Sequence, residues 1–151
     1  MDPEDFEPVT DDPQDAFEES EDELSMDFVV RLTDKVMAFM DVLVGHPLHE
    51  YQQPLARRII ESVILGDGEE ITALAARQSG KSEIISNTIA TLLVLLPRLA
   101  KLYPDLLGKF KNGFWVGLFA PTEGQAETVF GRAVSRLTSE RAVEILGDPE
   151  I

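Results

Sequence analysis

The stretch Ala75-Ala76-Arg77-Gln78-Ser79-Gly80-Lys81-Ser82 sets a glycine, a lysine and a hydroxyl in the last three positions of the spacing G-x-x-x-x-G-K-[ST]. Ala75 stands where the first glycine usually does. Each residue type has its own use. Gly80 lets backbone N–H groups approach an anion closely, Lys81 can reach the β and γ phosphates of a nucleotide, and the Ser82 hydroxyl can complete a Mg²⁺ shell. A bland alternative stands beside this chemistry: a surface loop with one solvated lysine, because G-K-S is a short and common string.

What surrounds the loop favours the phosphate. "ITALAA" at 71–76 is a short apolar run with turn residues before it, and "EIISNTIATLLVLL" after the loop is a long apolar helix. A strand that feeds a turn at a helix N-terminus aims unpaired N–H groups and the positive end of the helix dipole at one point. Pro97 is expected to end or kink that helix, and "RLAKLYPDLLGKFKNG" reads as a short helix and a turn. "FWVGLFA" at 114–120 reads as a second strand. Thr122 and Gln125 have capping-box spacing, and Ala126, Val129, Phe130, Ala133, Val134 and Leu137 form the stripe of the helix that follows. Strand and helix alternating in this way predict an α/β domain with a parallel sheet.

Upstream, Val29, Leu32, Val36, Phe39, Met40 and Leu43 recur at helical spacing, with Gly45 placed to stop the helix. Pro54 suits the first turn of a second helix, with Leu55, Ile59, Val63 and Ile64 along one face and Gly66-Asp67-Gly68 ending it. His46 and His49 fall in the loop between. Two histidines with no third ligand make a poor metal site.

Tyr51-Gln52-Gln53, "ARQSGKS" and "GLFAPTEGQAETVFGRA", in that order, closely resemble the ATPase domain of the large terminase subunit of tailed double-stranded DNA bacteriophages, over roughly residues 48–138. The resemblance implies a P-loop NTPase fold (RecA-like), a parallel sheet with flanking helices, incomplete in this chain. It implies ATP and Mg²⁺ as cofactors. Tyr51 and Gln52 would bind adenine, with Gln53 the alternative register; Arg77, Gln78, Ser79, Gly80, Lys81 and Ser82 would hold the phosphates. Arg77 and Lys81 would stabilise the transferring γ-phosphoryl, and Ser82 would reach the metal. Ala120, Pro121 and Thr122 match a segment that couples ATP state to DNA, although the same letters make a good helix cap. The implied partners are double-stranded DNA, the portal and the small terminase subunit, within an oligomeric motor in the cytoplasm of a bacterial host.

The resemblance stops short of hydrolysis. That chemistry needs an apolar strand ending in Asp-Glu, and "TSERAVEILGDPEI" after Leu137 reads instead as a short helix and a Gly-Asp-Pro turn. The family's nuclease carboxylates are absent too. The expectation is the front half of a motor domain that binds ATP and turns it over barely. Two other readings remain open: a helicase-type DNA-dependent ATPase segment, and a small nucleotide-binding protein that hydrolyses nothing.

Composition bounds these readings. A chain of 151 residues with 44% hydrophobic and 27% charged residues suits one globular domain. The net charge of −15 resides mostly in residues 1–27, which hold 13 acidic residues, three prolines and no Lys or Arg; the remainder carries 15 acids against 13 bases. Such a segment predicts a disordered acidic tail, followed by a packing helix from Phe28. An arm that contacts a basic partner is the alternative. No cysteine is present, so there is no disulfide framework. The longest apolar run, 89–96, is short of the ~20 residues that span a bilayer, and no membrane role is expected.

Overall fold

The computed structural model describes residues 26–76 and 80–147. The acidic tail therefore lies almost wholly outside the described residues, as do Arg77, Gln78, Ser79 and the Gly-Asp-Pro turn beyond Gly147.

Helix α1 (Met26–Val44) opens the described chain and takes in two residues assigned to the tail. All six residues of its expected stripe are buried, together with Phe28. Helix α2 (Gln53–Leu65) has Pro54 in its first turn and Gly66 beyond its end at φ 63°, a left-handed cap that glycine adopts without a Cβ penalty. Its buried face meets expectation at Ile64 and is turned one residue elsewhere. Ala56, Ile60 and Ile64 are buried, whereas Leu55, Ile59 and Val63 are partly exposed.

Helix α3 (Lys81–Leu102) is the axis of the fold, packed against α1, α2 and the later helix α5 (Glu123–Thr138). It continues past Pro97 to Leu102, so the proline does not end it, and Leu96, Leu99 and Ala100 are buried in its last turns. Ser86, Asn87, Thr88 and Thr91 are buried with them; Thr88 and Thr91 donate to the carbonyls of Ile84 and Asn87, at 2.7 and 2.8 Å, so neither hydroxyl is left unpaired. By length and composition α3 could cross a membrane, but 61% of its apolar window is buried inside the protein. A core helix meets that test equally well.

A short helix α4 (Pro104–Leu107) and one 3-10 turn (Gly108–Phe110) follow. Tyr103, between α3 and α4, is buried with its ring edge-on to Phe28, centroids 5.3 Å apart. Each such fully buried large side chain contributes about 1.5–3 kcal/mol. After α5, a last helix α6 (Glu140–Leu146) packs on α1 and α5. Its N-cap Ser139 accepts a hydrogen bond from the Ala142 N–H at 3.1 Å.

No β-strand occurs among the described residues, which overturns the expected α/β parallel sheet and with it the P-loop NTPase fold. Segments 71–76 and 114–120 form no ladder. A strand exists only through its partners, and an apolar run specifies none. Here Leu74, Trp115 and Phe119 are almost fully exposed while the core is assembled from helices. Residues 114–117 instead edge an apolar groove of about 590 Å³ whose floor includes Ile59, Val63, Ile85 and Ile89. The stripe on α5 is also largely outside the core: Ala133 is buried and Phe130 is 62% exposed. Thr122 does precede α5 in extended conformation, but its side chain makes no capping bond.

Candidate functional site

The site is built around the start of α3. Gly80 is left-handed, φ 76° and ψ 20°, and turns the chain abruptly into the helix. The Ile84 N–H donates to the Gly80 carbonyl at 3.0 Å, and no side chain among the described residues caps the helix. The N–H groups of Lys81, Ser82 and Glu83 are thus the donors that the first turn leaves over. The Lys81 side chain is exposed and forms no ion pair among the described residues. Ser82 is half-buried, and its carbonyl lies 2.7 Å from the Ser86 hydroxyl, which is also 3.2 Å from the Val129 carbonyl of α5.

Gln52 meets this loop from the side. It is 3% exposed, its Oε1 accepts the His49 N–H at 3.0 Å, and a Cβ on Gly80 would stand 2.3 Å from its Nε2. The absence of a side chain at Gly80 is what admits the Gln52 amide. Two stretches picked out separately in the sequence, 51–53 and 80–82, therefore share one locus. Tyr51 points outward, 65% exposed, its ring stacked on His49 at 5.7 Å and 5°. Gln53 donates to the Leu48 carbonyl at 3.2 Å and so closes the loop. Arg77, Gln78 and Ser79 belong to the undescribed gap.

A charged cluster that no sequence pattern announced lies beside the loop. Glu83 Oε1 is 3.5 Å from an Arg136 Nη and 3.6 Å from His46 Nε2, and Arg136 Nε donates to Asn87 Oδ1 at 3.0 Å. Glu83 and Asn87, one turn apart, form a visible pair on α3. Arg136 lies about fifty residues further on, and no local pattern announces its approach.

The donor set limits which cofactor fits. Among the described residues no three His, Asp or Glu side chains form a group that could hold a metal ion. One hydroxyl at the start of a helix is a donor set that Mg²⁺ can accept, since that ion keeps most of its waters and arrives with substrate phosphates. The open backbone at Gly80 and the exposed Lys81 suit the phosphates themselves.

The sequence and fold were compared with protein-family models, curated proteins and solved structures, and none matches.

Asp41, near the end of α1, holds the loop that carries His46. Burial raises its pKa above the ordinary 3.8, against the lowering effect of the Leu48 N–H and of His46. The fold therefore accommodates the neutral acid better than the carboxylate. Its contribution to stability is full below pH 3.8 and is lost as pH rises through the folded value. Asp41→Asn, which can still accept the Leu48 N–H, should raise the unfolding midpoint at neutral pH, and the gain should vanish as the parent's carboxyl protonates. Thermal melts across this range check it; a variant less stable than the parent at neutral pH would show that the charge is useful.

Proposed function

We propose that the chain binds the polyphosphate of a nucleotide at the turn into α3. Gly80 opens the backbone, Lys81 supplies the cation, and the Ser82 hydroxyl would hold a phosphate-borne Mg²⁺. The observation that carries this reading is the left-handed Gly80 packed against the Gln52 amide, at the head of a helix whose first N–H groups have no side-chain cap among the described residues. The reading needs no sheet. A turn into a helix N-terminus collects anions wherever the chain enters from.

The nucleotide is ATP and the setting a DNA-packaging motor of the terminase type, with double-stranded DNA, portal and small subunit as partners. These rest on the resemblance of 51–53, 77–82 and 117–133 to that family. Tyr51, exposed and stacked on His49, offers a face for a base. The bound Mg²⁺ would supply charge neutralisation at the β and γ phosphates.

Calorimetric titration of the full chain with MgATP should give saturable one-to-one binding, while phosphate release stays at background, since no Asp-Glu pair occurs among the described residues. Absence of saturation with both MgATP and inorganic tripolyphosphate would exclude the reading. Robust hydrolysis would exclude its non-hydrolysing part.

A further inference from the structure

A carboxylate at the mouth of a phosphate site is a liability, and Glu83 is such a carboxylate. It is the third residue of α3, and its Oε2 lies 4.0 Å from the position a Cβ would take on Gly80. Left alone, it would repel the anion that Lys81 attracts. It is not left alone. Its other oxygen faces the Arg136 guanidinium at 3.5 Å and the His46 ring at 3.6 Å.

Of the two neighbours, Arg136 is the permanent charge. It is also the better fixed, because its Nε donates to the Oδ1 of Asn87, a side chain only 1% exposed. The Arg136 side chain is itself 30% exposed, so most of it is held between α5 and α3. His46 is half-exposed on a loop and stays charged only when protonated.

We propose that Arg136 is a positioning residue for the phosphate site: by holding and neutralising Glu83 it permits a polyphosphate to bind at Gly80-Lys81-Ser82. This rests on the phosphate reading above and names the residue, remote in sequence, on which that site depends. The role is electrostatic, so the loss of Arg136 should be cured by removing the charge of Glu83.

The test uses the full chain, with MgATP and inorganic tripolyphosphate as probes, and the variants Arg136→Met, Glu83→Gln and the two combined. Methionine keeps much of the arginine stem. Arg136→Met should weaken both probes about tenfold, Glu83→Gln should bind at least as tightly as the parent, and the combination should return to the Glu83→Gln value. A packing role would not be rescued by a second substitution on the neighbouring helix. Parental affinity in Arg136→Met overturns the inference, as does a combined variant no better than Arg136→Met. Should Arg136→Met fail to fold, Glu83→Gln alone decides: a loss of affinity there shows that the carboxylate helps binding and overturns the proposal. A parent chain that binds neither probe overturns the phosphate reading itself, a result distinct from all of these.

Discussion

Lys81→Ala should abolish MgATP binding, with a loss of at least about 100-fold, while leaving the fold as stable as before or slightly more so. Lys81 is the first residue of α3, exposed and without an ion pair among the described residues. Replacing it with alanine removes no packing and improves helix propensity. A cation at a helix N-terminus also opposes the dipole, so its removal favours the helix by a few tenths of a kcal/mol. Stability and binding therefore move in opposite directions, which no general loosening of the protein can imitate. Calorimetry paired with thermal melts reads both. Parental affinity in the variant would mean that ATP, if it binds, binds elsewhere.

The helices were legible because their signals are local. Along α1 every residue of the expected stripe is buried, since period and stopping glycine both lie within one segment. In α2 Ile64 is buried as expected, but the rest of the stripe was misplaced by one residue. Apolar residues at 55, 59, 60, 63 and 64 permit two adjacent faces, and neighbouring helices choose between them. The sheet failed for the opposite reason: 71–76 and 114–120 look like strands by composition, but pairing is a property of two segments and neither names the other. Their apolar side chains border a groove or face outward, and the burial falls to α1, α2 and α3.

The candidate site was half legible. Gly80, Lys81 and Ser82 follow from spacing alone, and the structure brings Gln52 to the same turn from a separate stretch. Asn87 left a faint trace, since Ser86-Asn87-Thr88 interrupts an otherwise apolar helix, and buried polar side chains on such a helix imply partners. Arg136 left none, because it reads as an ordinary basic residue in the last turn of α5 and only the packing of α5 on α3 gives it a purpose.

Gly80→Ala should damage both the fold and the site, by two routes that can be separated. An L-residue held at φ 76° costs about 1–2 kcal/mol, independent of its surroundings. The added methyl would also stand 2.3 Å from Gln52 Nε2. Gln52 is a flexible residue, but here it is buried and bonded to the His49 N–H. Moving it gives up that bond, at about 1 kcal/mol, and unsettles the 49–52 turn that leads into α2. Together the two effects should lower stability by about 2–3 kcal/mol and weaken MgATP at least about tenfold, since the N–H groups of α3 would no longer converge. Gln52→Ala alone gives up the bond to the His49 N–H without any clash. Added to that variant, Gly80→Ala should cost only its backbone strain, about 1–2 kcal/mol, less than it costs the parent, and should still weaken MgATP. Denaturant melts and calorimetry on the parent, the two single variants and the double variant distinguish the routes. If Gly80→Ala matches the parent in both measurements, the left-handed turn is not required, and the one glycine retained from the phosphate-loop spacing serves neither the helix nor the ligand.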